Sequence, residues 1–310
     1  HRDLHRLIRR QRQMCIRDSN YIYKLFVVNK MKIRYNAINF VLREGTLLDK
    51  LRLYYLLEGV LKSEYLVSIE SIKKLQNKDG GWPLNDKIGS PSSVYETNKK
   101  ISLFLELNIV DTSILSAVKW LINIQNQDGS WHEKAIFLPI LRESNESFRR
   151  EYTIWLTGNI IRTLTRIKID KKKEESIRKG INYIRAMTHE KEIFYSSPEN
   201  IWCSLSALSL FGYPRTDPLV EKLIEYLEVL FLSKISKNKN YLLSPSKLCW
   251  MLDCLADTNW SSDEKLVRQG LSLLLELQTR EGGWLNDLGY VDAKLTVDIL
   301  YVLKKFNLFP

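Results

Sequence analysis

Long apolar runs are missing from this sequence. None of its 310 residues belongs to a run of about eighteen consecutive apolar side chains, which excludes an ordinary transmembrane helix. A charged, then apolar, then small-residue leader is missing too, and that absence predicts a protein that is not exported. Cysteine is scarce. Cys15, Cys203, Cys249 and Cys254 show no paired spacing, so they read as reduced thiols, mostly buried, and the expected compartment is the cytoplasm. Histidine is as scarce: past the first five residues only His132 and His189 remain. That inventory predicts no metal site and no cofactor. Peripheral contact with a membrane, oligomeric state and substrate are left open by all of these absences.

Positive charge is present in excess, at +11, but its placement matters more than its size. Residues 1–19 carry six arginines against two aspartates, and Lys24 and Lys30 follow, so six of the eleven net charges precede Met31. The remaining +5 is spread over about 280 residues with no basic stripe and no RNA-binding motif, which argues against a nucleic-acid partner. The string Arg12-Gln13-Met14-Cys15-Ile16-Arg17-Asp18-Ser19 resembles a translated sequencing adapter. Residues 1–30 are therefore expected to be a non-native or disordered basic tail, with Met31 as the natural start and 31–310 as one domain.

Within that domain a seven-residue pattern occurs three times. It reads Gln76-Asn77-Lys78-Asp79-Gly80-Gly81-Trp82, then Gln125-Asn126-Gln127-Asp128-Gly129-Ser130-Trp131, then Gln278-Thr279-Arg280-Glu281-Gly282-Gly283-Trp284. Each copy gives Gln, two variable residues, an acid, Gly, a small residue and Trp, and such a period governs the fold. Trp82 and Trp131 are 49 residues apart and Trp131 and Trp284 are 153 apart, about three periods. Two degenerate copies are thus expected between them, over 180–196 (ending Phe194-Tyr195) and 221–241 (ending at Tyr241).

Every copy lies between two helical patterns. Ahead of it, apolar residues recur at three and four, as in Leu115, Val118, Leu121 and Ile122. Behind it, past a polar loop, comes a more apolar and more aromatic helix, as over 150–166, 199–211, 246–257 and 292–306. The acid–Gly pair supplies the turn, because glycine tolerates positive φ. The unit is a helical hairpin of about 50 residues, with the amphipathic helix outside and the apolar one inside. Five hairpins plus helices around 45–70 give close to twelve helices, enough to close a ring. An open stack would need polar caps, and the C-terminus Phe306-Asn307-Leu308-Phe309-Pro310 is too apolar to serve as one.

The three copies resemble the QW repeat of squalene and oxidosqualene cyclases, shared with protein prenyltransferase β subunits. Ala117-Val118-Lys119-Trp120-Leu121 ahead of Gln125 is similar to the small, aromatic, aliphatic lead-in of that family, and Gly270-Leu271-Ser272-Leu273-Leu274 ahead of Gln278 matches it less fully. The resemblance covers roughly residues 45–310. It implies an all-α fold, an α6/α6 toroid, with a central apolar funnel for an isoprenoid chain. It also implies that Gln76, Gly81, Trp82, Gln125, Gly129, Trp131, Gln278, Gly283 and Trp284 are structural. Two chemistries belong to the family. Cyclases use an Asp-x-Asp-Asp general acid, whose working carboxyl is kept protonated by its neighbours, and no Asp-x-Asp-Asp occurs in this chain. Prenyltransferases hold zinc through Asp-x-Cys and a histidine, but Asp253 and Cys254 are adjacent here.

If the funnel exists, the inner helices line it. Their aromatics are Tyr95, Tyr152, Trp155, Trp202 and Trp250, whose ring faces suit a carbocation, although an aromatic on an apolar helix is more often plain core. Glu96, Glu151 and Glu199 lie near helix starts and read as dipole partners. Asp253 stands alone inside Leu248-Cys249-Trp250-Met251-Leu252-Asp253-Cys254-Leu255, where an unpaired carboxylate is costly to bury. It is the first candidate for an atypical acid, with Asp298 the second. Arg149 and Arg150 suit a diphosphate but read more simply as a solvated loop end. The expectations are therefore a cyclase-like enzyme on an isoprenoid or other apolar ligand, or a non-catalytic ring that binds or scaffolds. A sugar enzyme with facing carboxylates is a third and weaker reading.

Overall fold

The computed structural model of the protein describes residues 33, 35–133, 146–168, 170–189, 197–237, 244–258 and 261–309. The basic tail, Cys15, and the aromatic ends of both expected degenerate copies (Phe194-Tyr195 and Tyr241) lie outside these residues.

The described chain is mainly helical, with twelve α-helices. They are α1 (Ala37–Glu44), α2 (Leu47–Glu58), α3 (Leu66–Lys74), α4 (Val94–Glu106), α5 (Thr112–Asn123) and α6 (Glu146–Thr165). The second half holds α7 (Lys171–His189), α8 (Pro198–Leu210), α9 (Pro218–Lys237), α10 (Pro245–Ala256), α11 (Lys265–Glu276) and α12 (Ala293–Lys305). Local chemistry sets many of the starts. Thr46 and Asp49 form a reciprocal capping box on α2, and Asp111 accepts from the Ser113 and Ile114 amides at α5. At α12 the cap is Asp292, which accepts from Leu295.

Odd- and even-numbered helices differ as the periodicity requires. In α11 the buried positions Leu266, Val267, Gly270, Leu271, Leu274 and Leu275 form one stripe. In α8 every residue from Asn200 to Leu208 is buried. The even helices pack on one another: α4 on α6, α6 on α8, α8 on α10, α10 on α12, and α12 on α2. Each also packs on an odd-numbered neighbour, α1 on α2, α4 on α5, α6 on α7, α8 on α9 and α10 on α11. The last helix, α12, touches the first, α1. Phe306 and Phe309 are buried, so the apolar C-terminal residues have a packing partner.

The repeated heptapeptides build one joint three times. Trp82, Trp131 and Trp284 are fully buried, and each indole N–H donates to the carbonyl ten residues earlier, Ile72, Leu121 and Leu274. Each glutamine amide spans two carbonyls, one in its own turn and one in another unit. Gln76 donates to Gly80 and Ser113 at 2.8 Å each, and Gln125 to Gly129 and Ser176 at 2.8 Å each. Gln278 donates to Gly282 at 2.8 Å and to Tyr35, ahead of α1, at 3.1 Å. The bond that links one unit to the next thus also links the C-terminal unit to the N-terminal helix. Gly80, Gly129 and Gly282 have φ of 99°, 90° and 102°. A Cβ there would sit 2.7, 2.2 and 2.6 Å from the carbonyl oxygens of Ser116, Lys179 and Asn36, so both backbone conformation and close approach demand glycine.

One feature was not legible in the periodicity. After Trp82 and after Trp284 the chain makes a short antiparallel ribbon before the next even helix. In the first, β1 (Trp82–Pro83) pairs with β2 (Ser92–Ser93), and in the second β3 (Trp284–Leu285) pairs with β4 (Val291–Asp292). Two paired residues per strand are too few to leave an alternating pattern.

Candidate ligand site

The five aromatics singled out on the inner helices come together. Tyr95 of α4 lies 5.7 Å from Trp155 of α6, centroid to centroid, and Tyr152 lies 5.1 Å from the same indole. Trp155 meets Trp250 of α10 edge-on at 5.7 Å, and Trp250 meets Trp202 of α8 at 5.8 Å. These separations are those of favourable tilted and edge-to-face pairs. All five lie in the N-terminal halves of their helices, so four helices contribute one wall from the same end.

Against that wall is a cavity of about 300 Å³. Tyr95, Asn98, Lys99 and Ser102 of α4 line one side, Trp155, Leu156 and Asn159 of α6 another, and Trp250 of α10 a third. Tyr152 and Trp202 stand behind the lining and hold Trp155 and Trp250 in place. Burial pushes the phenols of Tyr95 and Tyr152 above their ordinary value, so both rings stay neutral. Lys99 lies 5.6 Å from the Tyr95 centroid and 3.6 Å from the Glu96 carboxylate. The start of α4 is pinned from the next unit. Glu133, 3% exposed, accepts from the Ser93 hydroxyl at 2.7 Å and from the Val94 and Tyr95 amides at 3.3 and 3.0 Å.

Among the described residues several buried polar atoms around the wall have no hydrogen-bond partner: Asn98 Oδ1 and Trp155 Nε1, enclosed on residues that line the cavity, and Trp202 Nε1, Ser204 Oγ and the Asn200 amide on α8. Two other polar lining groups are hydrogen-bonded within the protein. The Ser102 hydroxyl pairs with that of Thr163 at 2.8 Å, and the Asn159 amide donates to the Trp155 carbonyl at 2.9 Å.

Neither candidate acid lines this cavity, and neither is alone. Asp253 accepts from Arg162 Nη2 at 2.9 Å and from Lys305 Nζ at 2.6 Å. Arg162 also binds Asp257 through Nη2 at 2.5 Å and Ser206 at 2.8 Å, while Arg166 reaches Asp257 at 3.0 Å. Asp298 accepts from Arg52 Nη2 at 2.6 Å and from Lys294 at 2.9 Å, and Arg52 holds Glu106 through two bonds of 2.6 and 2.8 Å. Burial raises the Asp253 carboxyl, but Lys305, Arg162 and Arg166 more than offset it, and the net displacement is downward. Asp298 behaves alike, burial being outweighed by Arg52 and Lys294. The expectation of a lone buried carboxylate at Asp253 thus gives way to an ion-paired one, and both aspartates are held ionised rather than primed to donate a proton.

Arg52 and Arg162 were not singled out as partners for these acids. Their signal was present: each is a charge inside an apolar helix, as Asp253 is, and opposite charges buried on different helices tend to find one another. Asn98 left no such signal, since an asparagine near a helix start reads as ordinary. His132 accompanies Asn126 at 2.7 Å in the turn. Among the described residues no three His, Cys, Asp or Glu side chains gather as metal ligands would, and no helix is long and apolar enough to cross a membrane.

No family model matches the chain, and no curated protein matches it. Among solved structures it is similar to a protein from Actinoplanes known from a crystal structure, at 11% identity and a TM-score of 0.52. The match covers 84% of this chain and 90% of that one. At that identity the likeness concerns the fold alone.

Proposed function

We propose that this chain is an α6/α6 toroid of the terpenoid cyclase and protein prenyltransferase type that binds an apolar small molecule, such as an isoprenoid, against its aromatic wall. The toroid is supported by the even helices packing in sequence from α4 to α12 and then onto α2, and by Gln278 joining the last unit to Tyr35 as Gln76 and Gln125 join theirs. The observation that carries the binding reading is one aromatic cluster in which Tyr95, Trp155 and Trp250 line a cavity while Tyr152 and Trp202 pack on them from behind. Ligand pockets are mostly apolar and aromatic, with few polar groups that fix orientation, and roughly 300 Å³ is the low end of their range.

Binding is preferred over cyclisation because a cyclase acid must carry a proton to the substrate. Asp253 and Asp298 are ionised by their arginine and lysine partners and lie off the cavity lining. The same ring faces would stabilise a carbocation, so the cyclase-like reading stands second. Titration of the full chain with geraniol, farnesol and squalene, followed through tryptophan fluorescence, tests the proposal. Saturable quenching by at least one of them, lost in Trp250→Ala, is expected. Quenching that is absent, or unchanged in Trp250→Ala, would contradict it.

A further inference from the structure

We infer that the two β-ribbons seat this protein on a lipid surface, by inserting Ile88 on one and Leu288 and Tyr290 on the other. Such docking goes beyond the binding function proposed above and rests on it only for the choice of lipid as the partner. Among the described residues the three most exposed large apolar side chains are these, Ile88 at 84%, Leu288 at 80% and Tyr290 at 69%. Exposed apolar side chains scattered singly are ordinary, but these gather on two turns of one design. The first turn reads Asn85-Asp86-Lys87-Ile88-Gly89 and the second Asn286-Asp287-Leu288-Gly289. Each sets an aliphatic residue before a glycine of positive φ, 83° at Gly89 and 81° at Gly289. A Cβ on either glycine would meet nothing within 4 Å, so both turns project into open space. Hydrogen bonds hold them in shape. The Lys87 amide donates to the Leu84 carbonyl at 3.2 Å, and the Asn286 side chain accepts from the Leu288 and Tyr290 amides at 3.0 and 3.2 Å. Little conformational freedom is left to lose on contact.

Both ribbons stand at one end of the inner layer. β2 leads straight into α4 and β4 into α12, so each turn lies beyond the N-terminus of its helix. Those helices run the same way. α4 is parallel to α6, since Tyr95 meets Trp155 and, farther on, Ser102 meets Thr163. α6 is parallel to α10 through Trp155 with Trp250 and Arg162 with Asp253. α10 is parallel to α12, because Cys249 feels the charges of Lys294 and Asp298 while Asp253 meets Lys305. The shared N-terminal end is the one from which the aromatic wall is built. An apolar ligand dissolves in a bilayer far more readily than in water, so lipid contact at that end brings the site to its supply. The turns carry one exposed cation, Lys87, and one exposed acid, Asp287, while Asp86 is paired with Lys100 at 2.9 Å. These charges cancel, so burial of apolar side chains, not attraction to anionic headgroups, drives the contact. A protein partner fits less well. Two separate prongs do not supply the contiguous patch of about 800 Å² per side that a stable interface buries, whereas a bilayer yields to each prong alone.

Co-sedimentation of the full chain with phosphatidylcholine vesicles, in about 0.1 M and about 1 M salt, tests this. Vesicles without net charge keep the six net positive charges ahead of Met31 out of the measurement. Wild type is expected to bind equally at both salt concentrations. The double variant Ile88→Ser, Leu288→Ser should partition about tenfold less, since membrane affinity scales with the apolar area inserted. Both side chains are exposed and neither lines the cavity, so the double variant should keep its thermal midpoint and its quenching by geraniol. A wild type that stays in the supernatant, binding that high salt releases, or a double variant that binds as well as wild type overturns the inference. A wild-type dimer that the double variant turns into a monomer, by light scattering, overturns it too, because the ribbons would then be a protein interface. Vesicle binding is measured without ligand and geraniol quenching without vesicles, so either function can fail while the other stands.

Discussion

Asp253 illustrates how far a single residue can be read without its neighbours. In the sequence it is an acid stranded among Leu248, Cys249, Trp250, Met251, Leu252 and Cys254, and it looks costly. In the fold its oxygens meet Arg162 from α6 and Lys305 from α12, residues 91 and 52 positions away. No local pattern reports partners at that range, so the buried charges were visible in the sequence but their pairing was not. The aromatic half was legible because it needs no partner: apolar, ring-bearing helices point their rings inward whichever helix they meet. Two predictions belong here. Asp257→Asn, which removes the acid holding Arg162, Arg166 and Ser206, should cost about 3 kcal/mol of stability in urea unfolding, as breaking a buried ion pair does. Asp253→Asn should leave ligand affinity within about twofold of wild type, since the residue does not line the cavity.

At the scale of the element, the heptapeptide joint accounts for the regularity of the fold. At each of its three occurrences one tryptophan closes the turn onto the preceding helix, and one glutamine reaches the neighbouring unit. The helices over 199–211, 246–257 and 292–306 were readable almost to their ends, since Pro198, Pro245 and the Asp292 cap mark where they start. The ribbons at Trp82–Ser93 and Trp284–Asp292 were not, because backbone pairing of two residues leaves no side-chain signature. Glycine substitution separates the joint from an ordinary turn. Gly212 has φ of 104° and open space around it, so Gly212→Ala should cost only the conformational penalty of about 1–2 kcal/mol. Gly129→Ala adds a Cβ 2.2 Å from the Lys179 carbonyl oxygen and should shift the thermal midpoint at least twice as far.

At the scale of the whole molecule, ion pairs and hydrogen bonds tie all six even helices together. Arg52 joins α2 to Glu106 on α4 and to Asp298 on α12, Lys305 joins α12 to α10, and Arg162 joins α6 to α10 and to Ser206 on α8. That network gives stability a sign with pH. The carboxyls of Asp253, Asp257 and Asp298 lie below their ordinary value, so their contribution is full above about pH 4, where unfolded aspartates ionise, and is lost as pH falls further. Asp111, lowered to about 2, titrates across the same window. Urea midpoints should therefore fall between about pH 4 and 2, and the triple variant Asp253→Asn, Asp257→Asn, Asp298→Asn should flatten that fall.

The claim that the molecule binds an apolar ligand at its aromatic wall, without using its buried acids chemically, is tested most directly by native mass spectrometry of the full chain incubated with geraniol and farnesol. Wild type, Asp253→Asn and Asp298→Asn should each show a one-to-one adduct of unchanged ligand mass, and Trp250→Ala should show none. A wild type without adduct, an adduct that survives Trp250→Ala, or a ligand altered by wild type and left intact by Asp253→Asn would contradict the account.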